Sequence, residues 1–281
     1  IFAGYEHYKF MMLFEKYLKP VPKVISRKAL PFMVSKTPMG LLNKFFEYSS
    51  SLGEEGLNRF TQIMKHLDER DKSFHNLYSV FTEEEKGQLY SAKDGIDVSQ
   101  MRNNFKRYFN SRSDRHDFLN EMLMYEIEVT LPDDFLMKVD RMTLANAVEG
   151  RVPFLDHTFV EFSGTIPPKY KMKGINEKWI LKMAMKDILP KEIVKRRKER
   201  FFVPIDNWLT TDMKESAKKI ILGSKNPIFN KAYLQKMFDR YDSSKLYYGR
   251  QIWNTMCLEI WNKIYIEDED MQPRNIDKLF A

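Results

Sequence analysis

The sequence predicts a mainly α-helical protein. Glycine accounts for only 11 of the 281 residues, which is below the usual share of about 7%. Strong helix formers such as leucine, methionine, lysine and glutamate are plentiful. Because 43% of the residues are hydrophobic, a chain of this length can also fill a substantial core.

The helical pattern begins in the first segment, IFAGYEHYKFMMLFEKYLK, where apolar residues lie near helical spacing without a capping residue before them. The first residue is Ile1 and not Met, so we expect a piece cut from a longer protein. Proline-marked breaks follow at KPVPKV and LPFMVSKTP. Thr82 followed by Glu85 then predicts a capping box that opens a short helix.

Further helices are predicted by periodicity, and the only strand-like piece, at KYKMK, is short. Asp133 and Asp156 are the predicted N-caps of two of these helices. The predicted helices cover roughly residues 99–109, 114–130, 134–148, 156–164, 176–188, 206–221, 230–241 and 249–266.

Charge alone does not indicate a nucleic-acid partner. The formal net charge is +7, but charges of both signs alternate along most of the chain and only KRRKER (195–200) stands out. Tyr108 and Phe109, beside Lys106 and Arg107, could stack on bases, yet their helical spacing suits a core face with a basic flank. We expect no nucleic-acid partner.

No membrane span and no metal site are predicted. The apolar stretches are shorter than the roughly 20 residues that a spanning helix needs, which predicts a soluble, cytoplasmic protein. The single cysteine, Cys257, lies in the apolar stretch IWNTMCLEIW and is predicted to be a buried structural thiol. The five histidines lack ligand spacing, and Asp133 with Asp134 suits a helix start better than a metal site.

The middle of the chain, LPDDFLMKVDRMTLANAVEGRVPFLDH, combines a helix pattern with a dense group of charges. The predicted apolar helix face consists of Phe135, Leu136, Val139, Met142 and Leu144. The charged residues left over, around a turn, are Lys138, Asp140, Arg141, Glu149 and Arg151. They are either a solvated surface or an ion-pair frame that holds a loop beside a polar site, and spacing does not choose between the two.

This block, followed by GINEKWILKMAM and by KRRKERFFVP in the same order, resembles the C-terminal synthetase domain of the glutamine-hydrolysing asparagine synthetases. The opening IFAGYEHY resembles the residues that follow an acidic GDGxDE loop in that family. The match runs from Ile1 to about residue 210. Relatives of the same architecture amidate other carboxylates, including sugar acids of surface polysaccharides, or close a β-lactam ring.

The resemblance implies a two-step reaction with ATP and Mg²⁺. A carboxylate, aspartate in the name-giving members, attacks the α-phosphorus of ATP to give an acyl-adenylate and pyrophosphate. Ammonia, which an N-terminal glutaminase domain makes from glutamine, then displaces AMP. Catalysis of the first step depends mainly on fixed cations and orientation, since charge develops on phosphoryl oxygens.

The resemblance also assigns roles to individual residues. Lys198, in the RxKExF pattern, takes the role of the catalytic lysine that contacts phosphate, and Lys178, in NEKWILK, that of a second lysine reaching the ATP phosphates or pyrophosphate. Phe201 and Phe202 would anchor the loop of Lys198, at about 2 kcal/mol for each fully buried ring. Around the site, Asp140, Arg141, Glu149, Arg151 and Glu199 are expected to support these groups.

Several family motifs are absent, which sets limits on the prediction. Neither the SGGxDS pyrophosphate loop nor the GDGxDE loop occurs, and there is no N-terminal cysteine nucleophile. We therefore expect residues 1–281 to be the helical C-terminal part of a PP-loop ATPase-like α/β synthetase domain. The parallel sheet of that domain would lie mostly outside the chain. Residues 211–281 would form a helical tail. The metal ligands would also lie outside the chain, and the chain alone would be inactive.

Three questions stay open at this level. The amidated carboxylate is either aspartate or another acid such as a polysaccharide sugar acid. A non-catalytic helical interaction domain is the alternative from another functional class. Homodimerisation is a further open alternative.

Overall fold

The computed structural model describes residues 1–18, 21–22, 25, 32, 36, 61, 63–64, 66, 69–91, 106–109, 117–196, 203–211 and 213–267. These residues are mainly helical, which confirms the predicted class, and none of them lies in a β-strand. Two isolated β-bridges pair Tyr90 with Phe229 and Lys173 with Asn176. The chain divides into two compact units.

Unit 1 comprises Ile1–Ser26, His66–Leu77 and Ser99–Arg200. Its described α-helices are α1 (Glu6–Leu13), α2 (Arg70–Tyr78, which ends in unit 2), α4 (Phe118–Tyr125), α5 (Met137–Leu144), α6 (His157–Thr165), α7 (Pro168–Lys171), α8 (Trp179–Met185) and α9 (Lys191–Lys195). π-Helical segments cover Phe14–Leu18 and Glu126–Leu136, and a 3₁₀ turn covers Pro153–Leu155.

Unit 2 comprises Arg27–Lys65, Tyr78–Val98 and Phe201–Ala281. Its described α-helices are α3 (Glu83–Leu89), α10 (Ile205–Thr210), α11 (Lys214–Gly223), α12 (Lys231–Asp239) and α13 (Lys245–Asn262). A 3₁₀ turn covers Tyr241–Ser243, and a π-helical segment covers Lys263–Glu267. The predicted helix 206–221 is therefore two helices, α10 and α11.

One long helical stretch runs from Phe118 to Leu144 through α4, the second π-helical segment and α5. Asp117 caps its start, since the Asp117 carboxylate accepts from the N–H of Leu119 at 2.9 Å. The prediction that Asp133 caps a new helix is wrong. Pro132, which has no N–H to donate, lies inside the π-helical segment, where wider turns accommodate it without ending the helix. The predicted Asp156 cap is confirmed.

The core of unit 1 contains a cluster of aromatic rings. Phe74 is fully buried, and its ring centroid lies 5.0 Å from that of Phe109 and 5.6 Å from that of Tyr125. Tyr108 contacts Tyr125 edge-on at 5.4 Å. The burial of Tyr108 and Phe109 agrees with their prediction as a core face.

The core of unit 2 forms around α13. Its fully buried side chains include Leu209, Ile221, Met237 and Ile252. Cys257, in contrast, is exposed, so the prediction of a buried thiol is wrong. On α13 the buried positions include 252, 256 and 259, and residue 257 points away from that face.

The predicted capping box on α3 is confirmed. Glu85 N–H donates to Thr82 Oγ1 at 3.1 Å, and Thr82 N–H donates to Glu85 Oε2 at 2.7 Å. The other carboxylate oxygen of Glu85 accepts from Tyr247 Oη at 2.6 Å and from Gln251 Nε2 at 2.9 Å. One carboxylate thus caps α3 and joins it to α13.

Unit 1 leaves large apolar side chains exposed between residues 135 and 193. The predicted apolar face of α5 is among them, with Met142 66% and Leu144 56% exposed. Ile188 is 72% exposed. Large apolar side chains exposed in such number are typical of a surface that another layer of protein covers.

Candidate phosphate-binding site

Lys178 lies at the start of α8, directly after a tight turn. The backbones of Lys173 and Asn176 exchange hydrogen bonds of 3.0 and 3.1 Å across this turn. Gly174 has φ of 61°, a conformation that glycine adopts readily. Lys178 itself has φ of 52° and ψ of 35° without a side-chain cap bond. For a residue other than glycine this backbone costs roughly 1–2 kcal/mol, so its surroundings must hold it.

The residue before Lys178 forms a partly buried ion pair with α1. Lys9 Nζ lies 2.7 Å from Glu177 Oε2, and Glu177 is only 5% exposed. Burial opposes ionisation of Glu177, but the hydrogen bond and the charge of Lys9 outweigh it and lower the pKa of this carboxyl. Glu177 therefore remains charged and bound to α1.

The side chain of Lys178 passes directly over Gly4. A Cβ atom on Gly4 would lie 2.5 Å from Lys178 Cε and 3.5 Å from its Cδ and Cγ atoms. Ala3, the preceding residue, has φ of 52°. The first residues of the chain and the αL residue at α8 are thus in direct contact.

Lys178, Lys182 and Arg196 form a cationic group. Burial lowers the pKa of Lys178, and the charges of Lys182 and Arg196 lower it further against the raising effect of Glu177. Lys182 lies one turn into α8, and its N–H donates to the carbonyl of Lys178 at 2.9 Å. An anion bound near Lys178 would reduce this repulsion between like charges.

The remaining predicted site residues are only partly described. Lys198, Glu199 and the two anchoring residues Phe201 and Phe202 lie outside the described residues. Val203, which follows them, is 52% exposed. The catalytic role of Lys198 therefore stays a prediction.

The charged group of the middle block is exposed. Arg151 Nη2 lies 2.7 Å from Glu149 Oε1, and both side chains are mostly exposed. Asp140 and Arg141 lie on α5 and form no ion pair with another described residue. Lys138 pairs with Asp134, so within the described residues this group is a solvated surface with two ion pairs. Its supporting role at a site stays a prediction.

A second polar cluster lies on α1. Tyr8, which is 1% exposed, donates its hydroxyl hydrogen to Glu126 Oε2, and His7 Nε2 lies 2.9 Å from Glu126 Oε1. Burial raises the pKa of Tyr8 well above its ordinary value, and the charge of Glu126 raises it further. Tyr8 is thus a neutral hydrogen-bond donor that connects α1 to the helical stretch containing Glu126.

The residues that shape the surroundings of Lys178 were missed by sequence reasoning. They are Gly4, Lys9, Glu177 and Lys182. Gly4 and Lys9 stand in the quoted IFAGYEHYKF, and Glu177 and Lys182 stand in NEKWILK. For Gly4, Glu177 and Lys182, position inside the matched motifs was the available signal. Lys9 directly follows IFAGYEHY and had no such signal, because periodicity cannot show that residues far apart in the chain meet.

The described part of the chain contains neither a candidate metal site nor a candidate membrane span. No set of three or more His, Cys, Asp or Glu side chains there is arranged to bind a metal ion. None of the described helices has the length and the apolar character needed to cross a membrane.

The family model described as asparagine synthase matches residues 1–263. The chain belongs to the asparagine synthase family. The resemblance seen in the sequence motifs is thereby confirmed, and the match extends into unit 2, beyond the residue 210 at which the motifs end.

Individual relatives of this chain are glutamine-hydrolysing asparagine synthetases. Asparagine synthetase 1 of Bacillus subtilis is 30% identical over 274 residues, which cover 96% of this chain and 40% of the relative. The nodule enzyme of Pisum sativum is 31% identical over 153 residues, covering 52% of this chain and 25% of the relative. Asparagine synthetase 1 of Lotus japonicus is 32% identical over 48% of this chain and 26% of the relative. The chain thus spans less than half the length of these relatives. No solved structure matches it significantly.

Membership of the family implies two ligands, ATP and Mg²⁺. The described residues fit ATP better than they fit Mg²⁺. Lys178, Lys182 and Arg196 suit the phosphates of ATP. For Mg²⁺, which prefers carboxylate oxygens and water, the described residues offer no cluster of ligands.

Proposed function

We propose that this chain carries part of the active site of an ATP-dependent, amide-forming ligase that acts on aspartate. Its products would be asparagine, AMP and pyrophosphate, with ammonia supplied from glutamine by a glutaminase domain. The observation that carries this proposal is the position of Lys178, held in a strained backbone beside Lys182 and Arg196 in a chain of the asparagine synthase family.

Three lysines share two different roles in this proposal. Lys178 and Lys182 hold the phosphates of ATP or pyrophosphate in the ground state. Lys198 stabilises the charge that develops on the phosphoryl oxygens as the carboxylate attacks. Ligand phosphate between Lys178 and Lys182 would also relieve the repulsion that lowers the pKa of Lys178.

The rest of the synthetase domain would come from a nucleotide-binding region of PP-loop type. Residues 1–281 would form its helical C-terminal part, with residues 211–281 as a helical tail. Support comes from the exposed apolar side chains of unit 1 between residues 135 and 193, such as Met142 and Ile188, which a further layer of protein would cover. The ligands of Mg²⁺ would lie in that region.

The test uses the synthetase in which residues 1–281 are joined to the nucleotide-binding region, assayed for pyrophosphate release at saturating ammonia. Lys178→Ala is expected to raise the KM for ATP about tenfold with little change in kcat. Lys198→Ala is expected to lower kcat by about 10²-fold or more. Lys218→Ala removes a half-buried lysine of unit 2 that is paired with Glu215 at 3.1 Å, and it serves as the control with unchanged kinetics.

Replacing aspartate by other carboxylates in the same assay distinguishes asparagine synthesis from amidation of a sugar acid. The isolated chain provides a second arm: residues 1–281 alone should catalyse no ATP–pyrophosphate exchange. Exchange by the isolated chain would contradict the proposal that the nucleotide-binding region lies outside residues 1–281. Unchanged kinetics in both lysine variants would instead favour the non-catalytic interaction domain.

A further inference from the structure

Two strained backbone positions meet at the candidate site. Among the described residues other than glycine, only Ala3, Ala147 and Lys178 have positive φ, and Ala3 and Lys178 both have φ of 52°. Gly4 follows Ala3 directly in the chain, and its α-carbon faces the side chain of Lys178. Such strain persists only where surrounding contacts hold it, and it is typical of functional sites.

The contact with Lys178, and not the backbone conformation of residue 4, explains why this residue is a glycine. Its φ lies outside the positive region, so another residue could adopt the same conformation. The three atoms nearest to a Cβ on Gly4 are Cε, Cδ and Cγ of Lys178, at 2.5, 3.5 and 3.5 Å. Glycine at position 4 therefore leaves room for the side chain of Lys178.

The ion pair between Lys9 and Glu177 involves the residue next to the same lysine. Glu177 immediately precedes Lys178, and Lys9 lies on α1, which begins two residues after Gly4. The segment of residues 3–9 thus contacts the Lys178 side chain through Gly4 and fixes the preceding residue through Lys9. A buried ion pair adds little net stability, because desolvation offsets its attraction. The Lys9–Glu177 pair therefore suits a role in fixing geometry better than a role in stability.

We infer that Gly4, Lys9 and Glu177 are positioning residues for Lys178: Gly4 provides the space for its side chain, and the Lys9–Glu177 pair fixes its backbone. They do not touch the phosphates themselves. This inference rests on the proposed function for its consequence in catalysis, but the positioning can be measured without any activity.

The chain offers a variant that separates positioning from stability. The Lys178 atom that collides with a Cβ at residue 4 is the far end of a flexible side chain, so Gly4→Ala should displace the lysine and leave the fold intact. Gly164 is the matched control, since it is exposed on α6 of the same unit and nothing lies within 4 Å of a Cβ there. Gly164→Ala should leave Lys178 unchanged.

The first measurement is the NMR titration of the Lys178 ε-methylene in the 281-residue chain labelled with [¹³C]lysine, with the signal assigned through Lys178→Arg. The wild-type Lys178 should titrate below the ordinary lysine range, in agreement with the lowering of its pKa by burial. In Gly4→Ala its titration should return toward the ordinary range as the ammonium moves into water. Lys9→Met should have the same effect, and Lys9→Arg, which keeps the ion pair, should restore the wild-type curve.

The second measurement is the KM for ATP of the joined synthetase. Gly4→Ala should raise it about tenfold, as expected for a displaced binding group, with kcat changed less than about twofold. The double variant Gly4→Ala/Lys178→Ala should bind ATP no worse than Lys178→Ala, since the collision partner is then absent.

The outcomes are distinguishable. If the Lys178 titration is the same in wild type, Gly4→Ala and Lys9→Met, the positioning inference is wrong. If Lys178→Ala leaves the KM for ATP unchanged, the proposed function of Lys178 fails, while the NMR titration still decides the positioning. If Lys9→Met fails to fold, Gly4→Ala and the double variant decide whether the positioning inference holds.

Discussion

Glu85→Ala is expected to destabilise unit 2 strongly, because one carboxylate serves three donors. These donors are the N–H of Thr82 at 2.7 Å, Tyr247 Oη at 2.6 Å and Gln251 Nε2 at 2.9 Å. Hydrogen bonds to a charged group contribute about 1.5–3 kcal/mol each. Gln251 is 0% exposed, so its amide cannot turn to water, whereas the Thr82 N–H can find water more easily. We therefore expect a loss of about 3 kcal/mol in the free energy of unfolding.

The assay is urea unfolding followed by tryptophan fluorescence. Trp208 and Trp253, whose ring centroids are 5.8 Å apart, report on unit 2. Glu84→Ala is the control, because Glu84 lies on the same helix, carries the same charge and is exposed. This control should change the free energy by less than about 0.5 kcal/mol. A Glu85→Ala loss below about 1 kcal/mol, or equal to that of Glu84→Ala, would refute the reasoning.

Three further variants test other parts of the structure. Met237→Ala in the core should cost about 2–5 kcal/mol in urea unfolding, whereas Met142→Ala, at a residue 66% exposed, should cost less than about 0.5 kcal/mol; equal costs would contradict the assigned core. Burial raises the pKa of Glu259, so its contribution to stability is greatest below the ordinary glutamate pKa and is lost as pH rises through the raised value. Glu259→Gln should flatten the pH dependence of the free energy of unfolding measured from pH 4 to 8. If the slope of this dependence is unaltered in the variant, the dependence comes from another group. Tyr8→Phe should cost about 1–3 kcal/mol, because it removes a buried donor to Glu126; a loss too small to measure would show that this bond contributes nothing to stability.

Local signals in the sequence predicted the local parts of the fold. The Thr82–Glu85 box and the Asp156 cap depend on residues within three positions of each other, and both are confirmed. Asp133 has the same local signal, yet it lies inside a helix. Asp117, 16 positions earlier, already caps that helix, and π-helical turns accommodate Pro132. Propensity and capping signals fail to predict a helix boundary where a wider helical geometry accommodates the proline.

The surroundings of the site were less predictable than its motifs. Lys178 was predicted through its resemblance to a family motif, and its phosphate-binding role stays a prediction. The structure adds a strained backbone and a pKa lowered by burial and by the charges of Lys182 and Arg196. Glu177 had no such assignment, since its partner Lys9 lies on a helix near the start of the chain. Periodicity reports which face of an element is apolar, and it carries no information on which distant charges will pair.

The two units differ in how completely they bury their apolar residues, and this separates stability from function. Unit 2 contains a closed core around Leu209, Met237 and Ile252, so changes there should be measured mainly as lost stability. Unit 1 has a smaller aromatic core around Phe74 and leaves Met142 and other large apolar side chains exposed. Because the strained Lys178 also lies in unit 1, strain and uncovered surface occur in the same unit. If the proposed nucleotide-binding region packs on that surface, its binding would stabilise the unit that holds Lys178, and ATP affinity would depend on that packing as well as on the lysine.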